Sequence, residues 1–396
     1  MNKMRKMMCV LLALLLATAM LAGCQQEVPQ PAAPSSGSVA GPASTGGSSA
    51  GGASANTSAD LSDVKIALVM NYPASDGGWC QSYYESMLRC MDNLNLSEDQ
   101  VIMMEDVDAF GPDAESVFNM LAQDDVDLII AGSSGFTEAV NSVASRYPDV
   151  HFAVFEGQAA DNIKPFSLAD HTAMFMCGYA VARMSETDEL GFVACQPQAS
   201  VVRSLNAFSS GARYANENAT VKVLWANSWY DPAKEKEATN TFINEGKNAI
   251  GFFGGTTAVA NACGEQEGVY TNGLYLDMHD LAPSAMVTSM VYTWETVFEE
   301  MIHMVAAGQW DNEIVFPGIA EGGCDVAPFN EAIMPADVVT DCQKVREQLI
   351  NGEVEVFPTP VMDNQGNEIL AEGEEFSIED YITMLFLLDN VVGSLP

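Results

Sequence analysis

Two large aromatic residues stand beside two small polar ones in the run Asn227-Ser228-Trp229-Tyr230. Flat rings offer a surface on which a planar ligand can stack, and short amides and hydroxyls can orient what is stacked. These residue types therefore suggest recognition of a small molecule. Taken alone, the four residues fit an ordinary packed loop equally well.

The elements on either side of this run place it at the end of a strand. Val221, Val223 and Trp225 alternate with other residues, which is typical of a half-buried strand. Asp231 and Pro232 then supply a helix N-cap and a proline at the first helical position. In an open α/β sheet, the loop that follows the carboxyl end of a strand is where ligands bind.

Strand and helix patterns alternate from Val64 onward, and the alternation restarts near residue 188. This predicts an α/β protein with two doubly wound lobes joined by a hinge. The loops over 72–79, 132–136 and 156–158 should line one edge of the first lobe. A last helix is predicted over 378–390. The predicted segments are a leader over 1–23, a tether over 24–61, lobe 1 over 62–170 and about 286–312, and lobe 2 over 171–285 and about 313–396.

The N-terminus has the pattern of an exported lipoprotein. A basic start and an apolar run from Met7 to Leu21 precede Leu21-Ala22-Gly23-Cys24, which matches a lipobox. Cleavage would leave Cys24 as a lipid-modified N-terminus; the alternative is an uncleaved anchor with a chance cysteine. In both cases the protein is expected on the extracytoplasmic face of a membrane. The Ser/Gly/Ala/Pro-rich stretch that follows predicts a flexible tether.

Composition excludes several functions. The formal charge of −38 disfavours nucleic acid and anionic membrane surfaces as partners. The nine cysteines form no CxxC pair and are expected to be small buried hydrophobic residues. No G-x-S-x-G elbow and no HxxxH pair occurs. We therefore predict no catalytic residue, no metal and no cofactor.

One acidic residue is a separate candidate for ligand contact. Asp277 closes a predicted buried strand at a cleft edge, where a carboxylate is costly unless it meets a donor. This favours Asp277 as an acceptor for ligand hydrogen bonds. His279 could also contact a ligand, although a surface histidine is the simpler interpretation.

From about Val64 to Pro396 the sequence resembles the basic membrane lipoprotein (Bmp/Med) family, purine nucleoside receptor-like substrate-binding proteins of bacterial ABC importers. The combination of NSWYDPAKEKE (227–237) with DMHDLAP (277–283) is the most specific part of the resemblance. Other matching pieces are DGGW (76–79), YPDVHF (147–152), RSLNAFSSG (203–211) and the ending LLDNVVGSLP.

The resemblance implies a type I periplasmic-binding-protein fold whose lobes close on a ligand. Trp79 and Trp229 would sandwich a flat base, and Asp76 and Asp277 would accept its hydrogen bonds. The remaining implied contacts are Ser134, Phe136, Glu156 near the hinge, and Asn227.

The sequence departs from the nucleoside receptors at Cys80, where they have asparagine, and at Tyr292, where they have lysine. Both changes remove polar contacts, so a free nucleobase or another flat heterocycle becomes comparable to a nucleoside as ligand. The resemblance also implies ABC permease subunits as partners and a monomeric protein. A membrane-tethered sensor that signals to a receptor is the alternative, and an enzyme is a distant third.

Overall fold

The structure is a computed structural model and describes residues 60–396. The leader, most of the tether and the predicted lipid site Cys24 lie outside the described residues. The strands are β1 (Ile66–Val69), β2 (Val101–Met104), β3 (Leu128–Ala131), β4 (His151–Phe155), β5 (Ile163–Phe166), β6 (Glu189–Ala194), β7 (Thr220–Trp225), β8 (Ala249–Phe253), β9 (Tyr270–Tyr275), β10 (Met286–Tyr292), β11 (Cys324–Val326), β12 (Val361–Met362), β13 (Glu368–Leu370) and β14 (Val391–Val392). The helices are α1 (Trp79–Leu94), α2 (Asp113–Gln123), α3 (Thr137–Ala144), α4 (His171–Arg183), α5 (Ala199–Ala215), α6 (Pro232–Asn244), α7 (Ala258–Gly264), α8 (Trp294–Ala307), α9 (Ala336–Ile350) and α10 (Ile378–Ile382), with 3₁₀ turns at Ser134–Phe136 and His279–Leu281.

Two sheets form the centres of the two lobes. The lobe 1 sheet is parallel throughout, in the order β2-β1-β3-β4-β5. The lobe 2 sheet has the order β11-β10-β9-β8-β6-β7-β14, and only β11 is antiparallel to its neighbour. The predicted α/β architecture with two wound sheets is confirmed. Because parallel strands share a direction, each sheet collects its strand-end loops along one edge.

The segment that starts at residue 286 is divided between the lobes. Strand β10 pairs with β9, so its predicted assignment to lobe 1 is wrong. Its alternation predicted a strand but carried no information about which neighbour it would pair with. Helix α8 does lie on lobe 1, where the Trp294 indole Nε1 donates to Ser82 on α1 at 3.1 Å. The chain therefore crosses between the lobes at residues 292–294, in addition to the crossings after β5 and after α8.

The C-terminal tail differs from the predicted helix over 378–390. Helix α10 starts with a capping box at Ser377 and ends at Ile382. The chain then runs to β14, which pairs in parallel with β7. The indole Nε1 of Trp225 donates to the Ser394 carbonyl oxygen at 3.0 Å, which holds the end of the tail at this edge. Between α10 and β14 the backbone bonds to distant partners instead of forming helical turns: Asn206 donates to the Phe386 carbonyl oxygen and accepts the Leu388 N–H, and the Asp389 N–H donates to the Met362 carbonyl oxygen.

Helices α4 and α5 touch backbone to backbone in lobe 2. A Cβ on Gly178 would lie 2.0 Å from the Phe208 carbonyl oxygen, and one on Gly211 would lie 2.0 Å from that of Phe175. Only glycine allows this approach. The close crossing brings Arg203 on α5 beside Asp170, which directly precedes α4.

The cysteines of the described part behave as expected for small hydrophobic residues. The seven at positions 80, 90, 177, 195, 263, 324 and 342 are buried and unbridged. Burial raises the pKa of each thiol, for example to about 12 for Cys195. Among residues 60–396, no helix is long and apolar enough to cross a membrane.

Candidate ligand-binding cleft

Four residues at the carboxyl ends of strands in the described part have left-handed backbone conformations; one is Asp106, which follows β2 with φ of 58°. Glu156 follows β4 with φ of 46°, Asn227 follows β7 with φ of 51°, and Tyr275 ends β9 with φ of 69°. Such conformations cost roughly 1–3 kcal/mol for residues other than glycine and tend to gather at functional sites. They turn the chain sharply at the edges where the sequence predicted ligand loops.

Trp79 lies where the two lobes meet. Its indole Nε1 donates to the Gly132 carbonyl oxygen at 3.0 Å, so lobe 1 fixes the ring. Five aromatic rings approach it edge to face, with centroid distances of 4.9 to 6.1 Å. Those from lobe 1 are Tyr83, Phe155 and Trp294, and those from the lobe 2 sheet are Tyr275 and Tyr292.

The loop that carries Trp229 has a fixed backbone and exposed side chains. Trp229 is 38% exposed and Asn227 is also exposed. The backbone N–H of Ser228 donates to the Cys195 carbonyl oxygen at 3.2 Å, and a Cβ on Gly255 would lie 2.2 Å from the Trp229 carbonyl oxygen. The loop is therefore held close to lobe 2 while its rings reach solvent. Contact of Trp229 and Asn227 with a ligand stays a prediction.

The two predicted aspartates differ in their surroundings. Asp76 accepts backbone N–H groups from Gly78, Cys80 and Gln81 at 2.8 to 3.0 Å, and so caps α1 and positions Trp79. Asp277 is exposed and accepts only the His279 N–H at 3.0 Å in the described part. The inference of a buried carboxylate at Asp277 is therefore wrong. A ligand contact for either aspartate stays a prediction.

The third predicted loop separates into an exposed and a buried residue. Ser134 is exposed at the sheet edge, and its role as a ligand contact stays a prediction. Phe136 is completely buried, and its ring packs edge to face on Phe118 at 5.3 Å inside lobe 1. The expectation that Phe136 lines the pocket is wrong, because the 3₁₀ turn at 134–136 points this ring into the core.

A buried charged network lies at the same junction of the lobes. The Arg203 guanidinium, 1% exposed, donates from Nε and Nη2 to Asp170 Oδ1 at 3.2 and 3.0 Å. Tyr292 donates its hydroxyl to Asp170 Oδ2 at 2.8 Å. From lobe 1, Glu156 Oε1 lies 3.7 Å from Arg203 Nη2 and accepts the Ser167 hydroxyl at 3.2 Å.

Glu156 is the more solvent-exposed of the two carboxylates in this network. Its side chain is 18% exposed, whereas that of Asp170 is 4% exposed. Burial raises the pKa of Glu156, and the nearby Arg203 opposes that rise. Ligand contact by Glu156 stays a prediction, but its position gives it acceptor capacity toward solvent.

Sequence reasoning missed Asp170, Arg203 and Tyr275 as members of the junction. One signal was available for Arg203. It stands in the run VVRSLN on a helix with no acidic residue, and an arginine there must find its partner elsewhere in the chain when the helix is buried. Nothing local indicated that Tyr275 would reach across to Trp79.

A second buried carboxyl lies behind the Trp229 loop. Glu235 is 1% exposed; the Thr256 hydroxyl donates to its Oε2, and its Oε1 has no partner in the described part. Oε1 lies against Gly254, where a Cβ would be 3.0 Å away. Burial raises the pKa of Glu235 to about 7.

The remaining features of the described residues offer no competing chemistry. Among residues 60–396, no cluster of three histidine, cysteine or acidic side chains could hold a metal ion. A surface cavity of about 520 Å³ is lined by residues of α6, α7 and the segment 281–284, and the ion pair of Lys236 and Glu265 lies in its wall.

Two wound lobes with an aromatic and polar junction between their strand ends define the class of type I solute-binding proteins. The family model for Bmp, described as ABC transporter substrate-binding protein PnrA-like, matches residues 63–358. The chain belongs to this family.

Individual relatives agree with the class and are named for different ligands. A protein of Brucella abortus named as a purine-binding protein is 28% identical over 84% of this chain and 94% of its own length. A protein of Haloferax volcanii named as an ABC transporter glucose-binding protein is 28% identical over 72% of this chain and 70% of its own. A solved ABC transporter solute-binding protein from Conexibacter woesei has a TM-score of 0.59 at 19% identity, covering 74% of this chain and 98% of that one, and shows the same fold.

Proposed function

We propose that this chain is a lipid-anchored, extracytoplasmic solute-binding protein of an ABC importer that takes a purine nucleoside or nucleobase. The ligand stacks in the cleft between the lobes and stabilises the closed form, which docks on the permease. No bond of the ligand is made or broken. Cys24 carries the lipid that ties the protein to the membrane, and the stretch after it is the tether.

The observation that supports this proposal most is the position of Trp79. Rings of both lobes meet at this indole, so a ligand on it would contact both lobes at once. A ligand with such contacts favours the closed arrangement over the open one. Trp229, exposed on the second lobe, supplies the opposite stacking surface in this proposal.

The choice of a purine over a sugar rests on two further observations. The junction is rich in aromatic rings, and its carboxylates Asp76 and Glu156 can accept from the amino and ring N–H groups of a base. The Brucella abortus relative is named for purine binding. Glucose remains in the test because the Haloferax volcanii relative is named for it.

Ligand binding can be tested by thermal shift and calorimetry with adenine, guanine, hypoxanthine, their nucleosides and glucose. Binding raises the unfolding midpoint by mass action, with about 2.7 kcal/mol of stabilisation at a ligand concentration of 100 Kd. We expect a purine to raise it, and Trp79→Leu and Trp229→Ala each to abolish the effect. Trp225→Phe, at the far edge of the lobe 2 sheet, is the matched control and should keep it. A midpoint raised by glucose alone, or by purines in both cleft variants, contradicts the proposal.

A further inference from the structure

The donors of Arg203 are shared among several parts of the chain. Nε donates to Asp170, and Nη2 donates both to Asp170 and to the Leu168 carbonyl oxygen. These two partners lie on the segment that crosses between the lobes. Nη1 donates to the Tyr381 carbonyl oxygen of the tail at 3.1 Å. One residue of α5 therefore joins the first crossing segment, the tail and, through Glu156, lobe 1.

The network holds two carboxylates and one guanidinium. A buried arginine needs a paired charge, and Asp170 supplies one with both oxygens engaged. The second carboxylate, Glu156, stands 3.7 Å from the same guanidinium and has only the Ser167 hydroxyl as a closer partner in the described part. Its side chain is 18% exposed, and the carboxylate keeps acceptor positions that neither Arg203 nor Ser167 occupies.

We propose that Arg203 is a positioning residue for ligand binding: from lobe 2 it holds the lobe 1 carboxylate Glu156, ionised, at the floor of the cleft, and Asp170 with Tyr292 holds Arg203 in place. The inference rests on the proposed function, because it assigns Glu156 as the acceptor for a base N–H. It adds the residues that orient and charge that acceptor.

The groups that face Glu156 act on its ionisation in opposite directions. Burial raises its pKa, Arg203 on α5 lowers it, and Asp170 ahead of α4 raises it; the hydroxyl of Ser167, after β5, lowers it. Tyr83 on α1 also faces this carboxylate. Because only the ionised carboxylate offers all its oxygens to a ligand donor, affinity should fall as the pH falls through the pKa of Glu156.

The test is calorimetry with adenine from about pH 5 to about pH 8, a range in which adenine keeps its own charge. Arg203→Met should move the loss of affinity to higher pH, so that binding weakens at the acidic end of the range and the weakening shrinks toward pH 8; each unit of pKa shift corresponds to a tenfold change. Arg203→Lys keeps a cation and should shift it less. Asp170→Asn should shift it the opposite way and preserve affinity at lower pH. Glu156→Gln should bind weakly at every pH.

A purely structural Arg203 gives a different pattern. Arg203→Met and Asp170→Asn would then weaken adenine binding by a constant factor across the pH range, or shift it in the same direction, and either result overturns the inference. If Arg203→Met does not fold, Arg203→Lys and Asp170→Asn must still shift in opposite directions.

Failure of the proposed function looks different again, because the unaltered protein then binds no purine at any pH. In that case the difference in unfolding temperature between the protein and Glu156→Gln is measured against pH without ligand. The pH at which half of this difference is reached must rise in Arg203→Lys and fall in Asp170→Asn. If that pH does not move in either variant, the link between Arg203 and Glu156 is overturned.

Discussion

The two tryptophan loops of the cleft are built in opposite ways. Trp79 is held by a hydrogen bond to Gly132 and by five surrounding rings, and Asp76 in the preceding loop caps the N-terminus of α1. Trp229 follows a strand in lobe 2 with its ring 38% exposed. The first ring is partly buried and packs against the core at the junction, and the second lies on the surface of lobe 2.

Because of this difference, ligand binding should cost less side-chain entropy at Trp79 than at Trp229. A ring already fixed by neighbours loses little freedom when a ligand stacks on it, whereas ordering an exposed side chain costs about 0.5–1.5 kcal/mol. We infer that lobe 1 offers a preformed platform and that the Trp229 side of the cleft is ordered by the ligand. Substitutions in each loop test this difference, beginning with the two rings.

Replacing the two rings should separate stability from binding. We expect Trp79→Ala to lower the free energy of unfolding by about 3 to 4 kcal/mol, because the cavity removes contacts with rings of both lobes. Trp229→Ala should change it by less than about 0.5 kcal/mol, as an exposed side chain does. Denaturant titration of both variants without ligand gives the two values. Equal losses would show that the loops do not differ in this way.

The contrast between the loops was only partly predictable from the sequence. The strand, loop and helix around Trp229 follow from the alternation of Val221 and Val223 and from the Asp231-Pro232 signal, and Asp231 does accept the Lys234 N–H as an N-cap. These signals are local, so they predict the elements without any knowledge of how the rest of the chain folds.

The features that were missed depend on contacts distant in sequence. Phe136 could not be assigned to the core from its own loop, since Phe118, its partner, lies on a separate helix. The pairing of β10 with β9 and of β14 with β7 is likewise invisible in their own patterns. Arg203 and Asp170 meet only because Gly178 and Gly211 allow two helices to touch.

Each tryptophan loop has a carboxyl group next to it. The one next to the Trp229 loop, Glu235, has no hydrogen-bond partner for Oε1 in the described part. Burial raises the pKa of Glu235 to about 7, against the opposing hydroxyl of Thr256. The folded state thus binds this proton more tightly than the unfolded state, so the contribution of Glu235 to stability is greatest at low pH and is lost as pH rises from the ordinary carboxyl range to about 7.

We expect the protein to lose about 2–3 kcal/mol of stability relative to Glu235→Gln between about pH 5 and pH 8. Urea titrations at the two pH values give the difference directly. Glu237→Gln, an exposed neighbour on the same helix, is the matched control and should follow the unaltered protein. If Glu235→Gln shows the same pH dependence as that control, the carboxyl is not held protonated behind the loop.

The carboxylate behind Trp79 accepts three backbone N–H groups, and its replacement gives the smallest expected change. Asp76→Ala removes the acceptor for three backbone N–H groups and should cost about 1–2 kcal/mol, as the loss of a helix cap does. Asp76→Asn keeps Oδ1 as the acceptor for the Gly78 and Gln81 N–H groups but places an amide donor opposite the Cys80 N–H, so it should lose less stability than Asp76→Ala without matching the unaltered protein. Comparing the two variants therefore separates the cap from a ligand contact. If Asp76 also accepts from the ligand, Asp76→Asn loses purine affinity as strongly as Asp76→Ala although it loses less stability; if it keeps that affinity, Asp76 serves the platform only by holding Trp79 in place.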